Sequence, residues 1–365
     1  MGDVYFKNIY KNKKVLVTGH TGFKGSWLSM WLEYLGAEVY GISLHDYSFD
    51  NLTAYQMKNN CFIADIRDLA DIRVKINKIK PDIVFHLAAQ SLVQASYSDA
   101  INTFTTNVIG TSNLLEVCKE FDEVKSIIII TSDKCYKNND SIWAYREIDS
   151  LGGDDPYSAS KACAEIISHS YRSSFFSSEN DFIKIISTLR AGNVIGGGDW
   201  SNDRLIPDMV RSIASNSYAN IRNPESTRPW QHVLDCLSGY LLIGSHALAG
   251  NSVANDSFNF GPDQDSNIKV RSIVEKFSDM VPEFKFSINN NSYLNKEARL
   301  LNLDSTKAHV LLKWEPVWDI NISLSATIDW YNAYLLNRNL ISGVQLNKYL
   351  NDARKYNVIW TNDDY

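Results

Sequence analysis

The sequence lacks several features that would place it in a specialised class of protein. Its five cysteines are odd in number and include no CxxC pair, so neither a disulfide framework nor a zinc site is indicated. No apolar stretch approaches the roughly 18 residues needed to span a bilayer. Residues 1–14 contain no apolar core of the kind found in a signal peptide. These absences predict a protein of the reducing cytoplasm with no membrane segment and no metal.

The sequence also lacks any excess of positive charge. It has 36 Lys and Arg against 42 Asp and Glu, which gives a net charge of −6. No basic stripe stands out, whereas a site for a nucleic-acid backbone needs clustered Lys and Arg. A nucleic-acid partner is therefore not expected. The apolar fraction of 44% in 365 residues is sufficient for one large domain or two interlocked ones.

Short apolar runs alternate with amphipathic segments in the first half of the chain. Strands that follow helices in this way form right-handed crossovers and a parallel sheet. The pattern predicts an α/β fold with a doubly wound parallel Rossmann sheet. The predicted strands are 13–19, 37–43, 81–89, 125–132 and 182–190, and the predicted helices are 25–36, 68–80, 99–121 and 157–177.

After residue 190 the alternation loosens into segments rich in Gly, Pro, Asn and Trp. We expect residues 1–190 to form a cofactor-binding domain, with a later return of the chain near 233–262. Residues 191–365 are expected to form mainly a smaller, mixed substrate-binding domain over the carboxyl edge of the sheet. Its predicted elements are helices at 204–216, 233–249 and 270–280 and a strand at 257–261.

Three glycines follow the first predicted strand. Gly19, Gly22 and Gly25 lie at the first strand-to-helix turn, where glycines let backbone N–H groups approach a pyrophosphate at the positive end of a helix. This position predicts a dinucleotide site. The second strand of such a site usually ends in a carboxylate that binds the adenosine ribose. Here it ends in Ser43, and the nearest carboxylate is Asp46.

A tyrosine and a lysine stand four residues apart after Pro156. Tyr157 and Lys161 therefore lie on one face of a predicted helix. An ammonium group near a phenol lowers the pKa of the tyrosine from about 10, so that the phenolate can accept a proton from an alcohol. Ser132, at the end of the preceding strand, supports this catalytic interpretation.

These motifs occur together in a known family. The glycine loop, the string HLAA, Asn107, Ser132 and the pair Tyr157 and Lys161 resemble the extended short-chain dehydrogenase/reductases that act on nucleotide sugars. The strings GHTGFKGSWL, TSDKCY, RAGNVIGGGDW and RNPESTRPWQHVLDCLSGY are most similar to those of the CDP-glucose 4,6-dehydratases. This narrower likeness extends over about residues 13–330.

The resemblance implies bound NAD, CDP-glucose as the substrate, and a homodimer or homotetramer. It also implies a role in making deoxy sugars for bacterial surface glycans such as O-antigen. The cofactor residues that it suggests are Gly19, His20, Gly22, Phe23, Gly25, Ser43, Asp65 (against the adenine), Ile66, Ala88, Ala89, Asn107, Tyr157 and Lys161. The substrate residues that it suggests are Gln90, Asn193, Arg204 and Arg228.

A 4,6-dehydratase needs a base at sugar C4, an acid for the leaving 6-hydroxyl, and a group for the C5 proton. Polar residues after a parallel strand face the ligand, which makes Asp133 the candidate acid beside the base Tyr157. Lys134 follows it, where related dehydratases resemble this stretch but have glutamate. Lys134 is either the C5 base or a cation that stabilises the enolate; the sequence leaves both roles open.

Two other functions compete with this interpretation. A nucleotide-sugar 4-epimerase uses the same Ser, Tyr and Lys residues but has no use for an acid at Asp133 or a charged partner at Lys134. A non-catalytic NAD-binding regulator on the same fold would be expected to lose Tyr157 or Lys161. The histidines have no metal-ligand spacing, and most of the nine tryptophans are expected to lie in the core.

Overall fold

The computed structural model describes residues 4–45, 54–176, 184–262, 267–288 and 300–362. Within them, seven strands form one sheet in the order β10-β6-β5-β4-β1-β2-β3. Every neighbouring pair in this sheet is parallel. The strands are β1 (Lys14–Thr18), β2 (Glu38–Ser43), β3 (Cys61–Ile63), β4 (Ile83–His86), β5 (Ser126–Ile130), β6 (Ile185–Ala191) and β10 (Ser257–Phe260).

The sheet is covered on both faces because its strands are apolar on both sides. All five residues of β5 are buried. Ile127 and Ile129 contribute to one apolar cluster, while Ile128 and Ile130 contribute to the other. This alternation follows from the period of two in a strand. It places one helical layer on each face, as in a doubly wound fold.

The helices lie between and after these strands. The predicted helix at 99–121 is divided, because residues Thr105–Ile109 adopt a π-helical turn in its middle. None of the described helices is long and apolar enough to cross a membrane. They are α1 (Phe23–Tyr34), α2 (Leu69–Ile79), α3 (Val93–Ser98), α4 (Ala100–Phe104), α5 (Gly110–Glu120), α6 (Pro156–Phe175), α7 (Leu205–Ala214), α8 (Val233–Leu248), α9 (Val270–Met280), α10 (Thr306–Leu312), α11 (Ile320–Asn337) and α12 (Ser342–Lys355).

The second half of the chain adds two small sheets. One is mixed, with the order β11-β9-β7, and the other is a parallel pair of β12 and β8. In the same half, β10 returns to the large sheet and pairs with β6. The small-sheet strands are β7 (Asn193–Ile195), β8 (Ala219–Ile221), β9 (Thr227–His232), β11 (Asn267–Lys269) and β12 (Phe286–Ile288).

The predicted fold class is confirmed: a doubly wound parallel sheet is accompanied by smaller mixed sheets. The strand order reverses between β1 and β4, since β1 leads to β2 on one side while β4 lies on the other. Ligands of such folds bind beyond the carboxyl ends of the strands at this switch point. The segments that follow β1, β4 and β5 therefore form the place to look for a site.

Candidate active site

A cavity of about 730 Å³ lies at this edge of the sheet. It has the size of a small-molecule site. Its walls come from the glycine loop, from the segments after β2, β4, β5 and β6, and from the small sheets. Eighteen of the residues predicted to act at the site line it: Gly19, Gly22, Phe23, Gly25, Ser43, Asp65, Ile66, Ala88, Ala89, Gln90, Ser132, Asp133, Lys134, Tyr157, Lys161, Asn193, Arg204 and Arg228.

The glycine loop lets three backbone segments approach closely. Gly19 has φ +74°, and a Cβ there would lie 2.8 Å from the amide nitrogen of Ala88. A Cβ at Gly25 would lie 2.1 Å from the carbonyl oxygen of Gly19. No described side chain caps the N-terminus of α1 at Gly22, so its first N–H groups remain available to an anion. These features fit the pyrophosphate of a dinucleotide.

At the end of β2, where such sites usually have a carboxylate for the adenosine ribose, this chain has Ser43. Ser43 Oγ lies 2.8 Å from Nδ1 of His20 and accepts a hydrogen bond from the Thr21 amide at 3.3 Å. Asp46 lies outside the described residues. Asp65 forms an ion pair with Arg67 at 2.6 Å, and this hydrogen bond lowers the pKa of the Asp65 carboxyl. The neutral hydroxyl of Ser43 thus stabilises the glycine loop through His20 and Thr21.

The segment after β5 turns at once into a short 3-10 helix, Asp133–Cys135. Ser132 caps it: its Oγ accepts from the Lys134 amide at 3.3 Å and donates to Asp133 Oδ1 at 2.9 Å. Asp133 is 3% exposed, and its Oδ2 has no hydrogen-bond partner among the described residues. The turn removes the strand geometry that would send Asp133 and Lys134 to opposite faces, and both side chains line the cavity.

Helix α6 brings Tyr157 and Lys161 to the same wall. Asp155 caps this helix by accepting from the Ser158 amide at 2.9 Å, and Pro156 occupies its first turn. Lys161 Nζ donates to the carbonyl oxygen of Ile130 at 3.1 Å. Lys161 therefore connects α6 to the end of β5.

The pKa of Tyr157 is not lowered by Lys161, as the sequence had led us to expect, but raised. Burial raises the pKa of Tyr157 to about 12, while the hydrogen bond with Ser132 and the charge of Arg204 act in the opposite direction. Burial, together with the charge of Lys24, lowers the pKa of Lys161 to about 8. Desolvation outweighs the attraction between neighbours because both side chains are buried.

The predicted substrate residues come from three segments of the second half. Asn193 lies on β7 and Arg228 on β9. Arg204 precedes α7 and forms an ion pair with Asp199 at 2.9 Å. Arg228 is only 5% exposed, which excludes the alternative of a solvated surface charge. Two guanidinium groups that line one cavity suit a diphosphate.

Comparison with known proteins agrees with this arrangement. The family model described as GDP-mannose 4,6 dehydratase matches residues 16–326. The CDP-glucose 4,6-dehydratase of Salmonella typhimurium is 42% identical over 340 residues, covering 92% of this chain and 95% of that protein. The chain belongs to the GDP-mannose 4,6-dehydratase family. The resemblance predicted from the motifs is thereby confirmed.

Solved structures share the fold of the family. Pal from Bacillus thuringiensis superposes with a TM-score of 0.76 at 26% identity, covering 88% of this chain and 99% of that chain. The dTDP-glucose 4,6-dehydratase from Bacillus anthracis in complex with NAD has a TM-score of 0.72 at 21% identity, covering 90% of this chain and 99% of that chain.

Two predicted cofactor residues of this family member do not line the cavity. His20 is 2% exposed, and its ring packs so closely on β2 that a Cβ at Gly41 would lie 2.4 Å from it. Asn107 is buried as well: its Oδ1 accepts from the Gln90 amide at 2.8 Å, and its Nδ2 donates to Ser160 Oγ at 2.8 Å. Both side chains support the wall from behind.

Gln90 lines the cavity but uses its side chain to shape its own loop. Its amide nitrogen donates to Thr103 Oγ1 at 2.9 Å, and its amide oxygen accepts from the Leu92 amide at 2.6 Å. These bonds occupy both ends of the amide. The side chain of Gln90 therefore stabilises the loop after β4.

The sequence alone did not reveal a buried charge network next to Lys161. Glu165 lies one turn after Lys161 on α6 and pairs with Arg190 of β6 at 2.7 Å. Glu165 also accepts from Thr131 and Thr188. The spacing of four residues from Lys161 was the available signal, since it puts Glu165 on the same helix face.

Proposed function

We propose that this chain converts CDP-D-glucose to CDP-4-keto-6-deoxy-D-glucose by loss of water, as an NAD-dependent 4,6-dehydratase. The observation that carries the proposal is that Asp133, Lys134 and Tyr157 all line one cavity. An epimerase requires the tyrosine but neither of the other two. The choice of cytidine is supported by the 42% identical relative from Salmonella.

The first step belongs to Tyr157 and its neighbours. Tyr157 accepts the proton of the sugar 4-hydroxyl, with Ser132 within hydrogen-bonding reach and Lys161 one turn away. NAD, held by the loop at Gly19, Gly22 and Gly25, would supply the acceptor for the C4 hydride, the donor for C6 and a positive charge near Tyr157. Because burial raises the pKa of Tyr157, the phenolate needs such positive charge near it.

Oxidation at C4 makes the C5 hydrogen acidic, and the next duties fall to the turn after β5. Asp133 donates a proton to the leaving 6-hydroxyl, so that the C6–O bond breaks and water departs. Lys134 either removes the C5 proton itself or, as a cation, stabilises the enolate while the C5 proton passes to water. A proton then returns to C5 as hydride reaches C6, so the net change is the loss of one water.

We propose a division of labour between two parts of the chain. Residues 1–190, with the return near 233–262, hold the cofactor, which the loop at Gly19 and Gly25 supports. Residues 191–365 mainly hold the nucleotide sugar, with Arg204 and Arg228 on the diphosphate and Asn193 beside them. Lining residues from both sets support this division.

We further propose a cytoplasmic homodimer or homotetramer that serves O-antigen or related deoxysugar synthesis. The free cysteines support a reducing compartment. Exposed apolar side chains on the α4–α6 region support self-association, namely Ile101, Ile109 and Ile166. Light scattering of the purified protein tests the oligomeric state.

The test of function is incubation of the protein with CDP-, dTDP-, GDP- and UDP-glucose. We expect loss of one water from CDP-glucose, detected by mass spectrometry of the nucleotide sugar. The Tyr157→Phe variant is the control, because it keeps the wall packed while removing the base. Turnover of another nucleotide sugar in preference to CDP-glucose would contradict the assignment of cytidine, and no turnover of any would contradict the activity.

A further inference from the structure

A buried ion pair between Glu165 and Arg190 contacts the residues at both ends of the turn after β5. Glu165 lies on α6 and Arg190 on β6. Both are buried, and neither is among the residues that line the cavity. Arg190 donates two hydrogen bonds to the Glu165 carboxylate, from Nε at 2.9 Å and from Nη2 at 2.7 Å. Such bidentate geometry fixes the two groups relative to each other.

The carboxylate of the pair holds the residue that precedes the turn. Thr131 Oγ1 donates to Glu165 Oε1, and Ser132 follows Thr131 directly in the chain. Burial by itself would raise the pKa of Glu165, but the hydrogen bond and charge of Arg190, together with two threonine hydroxyls, lower it. The ionised carboxylate is therefore a strong acceptor for the Thr131 hydroxyl.

The guanidinium group of the pair holds the residue that follows the turn. Arg190 Nη1 donates to the hydroxyl of Tyr136 at 2.7 Å, and the guanidinium carbon lies 4.9 Å from the centre of the tyrosine ring. Tyr136 is buried and follows directly after the 3-10 helix Asp133–Cys135. Its hydroxyl in turn donates to Asn259 Oδ1 of β10 at 2.7 Å. The far end of the turn is thus connected to two strands of the large sheet.

Local hydrogen bonds give the turn its shape. Ser132 Oγ binds the Asp133 carboxylate and the Lys134 amide, and the Ser132 carbonyl accepts from the Cys135 amide at 3.1 Å. Bonds within a turn fix its shape but not its place relative to α6. The buried ion pair joins the turn to α6 through its carboxylate and to β6 through its guanidinium group.

We infer that this ion pair positions the turn, so that Asp133 and Lys134 keep a fixed place relative to the base Tyr157 on α6. An elimination needs the groups of the turn and of the helix at one substrate, and a misplacement of about 1 Å can cost about 10²-fold in rate. Glu165 and Arg190 are therefore positioning residues that act through the turn. The inference rests on the proposed function, because it assigns the turn to the loss of water.

A competing role for the ion pair is stability of the fold alone. Replacing Glu165 or Arg190 does not separate the two roles, because the remaining charge would be buried without a partner and would destabilise the protein in either case. The two contacts to the turn can be removed while the pair stays intact. Thr131→Val and Tyr136→Phe each lose one hydroxyl and keep the shape of the side chain.

The experiment is rapid mixing of these two test variants with CDP-glucose in the presence of NAD, with NADH absorbance and product followed in parallel. We expect product formation to fall by about 10- to 100-fold at an unchanged KM, while NADH builds up and persists. Oxidation at C4 relies on Tyr157 of α6, whereas elimination relies on the displaced turn. Thr131→Ser keeps the hydroxyl and should restore most of the rate.

Thr327→Val and Tyr10→Phe are the matched controls. Thr327 Oγ1 donates to the carbonyl of Ser323 at 2.7 Å, and the Tyr10 hydroxyl donates to the carbonyl of Leu241 at 2.6 Å. Both hydroxyls are buried, and neither residue lines the cavity. Each control loses a buried hydrogen bond, so urea unfolding should show a loss of stability like that of the test variants. Neither control should lose rate or accumulate NADH.

Three results would overturn the inference. They are rates in the test variants that equal those of the controls, a fall in product with no build-up of NADH, and loss of the folded state in both test variants. If one test variant does not fold, the other has the same expected result. If the parent protein turns over no nucleotide sugar, the proposed function fails and the inference fails with it. If the parent is active and the test variants behave as the controls do, only the inference fails.

Discussion

Asp133 and Lys134 share one short turn but differ in their surroundings. Asp133 is buried, with Oδ1 bound to Ser132 and Oδ2 without a partner among the described residues. Lys134 is half-buried at the cavity wall. The free carboxyl oxygen and the ammonium group can therefore serve different atoms of one substrate, as an elimination across two neighbouring carbons requires.

The Asp133→Asn variant should oxidise the substrate and then stall. An amide is a poor proton donor, so we expect product formation to fall by about 10²–10⁴-fold, while NADH absorbance appears and persists. Rapid-mixing absorbance at the NADH band, with product analysis in parallel, measures both steps. Asp122→Asn, at the exposed Asp122, is the control. Normal product formation by Asp133→Asn would remove Asp133 from the mechanism.

Variants at Lys134 separate the two roles that the sequence left open. If Lys134 is the C5 base, Lys134→Glu should retain part of the activity and Lys134→Met very little. If its positive charge stabilises the enolate, Lys134→Glu should be the worse of the two, since a carboxylate repels the developing charge. The kinetic isotope effect with C5-deuterated substrate reports the step directly. Equal and near-normal rates in both variants, matching an exposed-site Lys137→Met control, would exclude both roles.

At the scale of the elements, His86 joins two strands and a helix. Its ring nitrogens lie 2.7 Å from Thr18 Oγ1 of β1 and 3.1 Å from Thr111 Oγ1 of α5. Burial, with a further contribution from the charge of Lys161, lowers the pKa of His86 to about 3. The folded protein therefore holds this imidazole neutral where an unfolded chain would protonate it.

This shift predicts a loss of stability in acid. Between pH 6.5 and 3 the unfolded state binds a proton at His86 that the folded state does not, so the free energy of unfolding decreases as the pH falls through that range. From pH 7 to pH 5 the contribution is about 2 kcal/mol. Urea unfolding at both pH values should show this extra loss in the parent but not in His86→Gln. Identical losses in both proteins would contradict it.

The long elements could be predicted because their patterns repeat. The run of isoleucines from Ile127 to Ile130 indicated β5, and the N-terminal Asp155 and Pro156 mark the start of α6. Strands such as β7, β8 and β12 have three residues each, too few to show an alternating pattern. The π-helical turn in the predicted 99–121 helix has no signature in residue type.

The candidate catalytic residues could be chosen from the sequence for the same reason. The side chains that surround them could not. Tyr157 and Lys161 are linked by a fixed spacing, and Asp133 by its position after a strand. The approach of Arg204 to Tyr157, and of Lys24 to Lys161, depends on how distant segments fold together. Burial raises the pKa of Tyr157 more than the hydrogen bond with Ser132 and the charge of Arg204 lower it, and the depth of burial is not encoded in the spacing of Tyr157 and Lys161.

At the scale of the whole molecule, the large sheet and the small sheets enclose one cavity. Segments after β1, β2, β4 and β5 line it together with residues of the second half. A cavity of about 730 Å³ has the size that a small-molecule ligand needs. We propose that the hydride taken from C4 of the sugar moves to C6 of the same sugar.

The most direct test uses CDP-glucose with deuterium at C4. We expect the product to be a 4-keto-6-deoxy sugar whose deuterium is found in the C6 methyl group, as detected by NMR and mass spectrometry. Deuterium that remains at C4, in a mixture of glucose and galactose forms, would show an epimerase. Deuterium that is lost to the solvent would contradict direct hydride return.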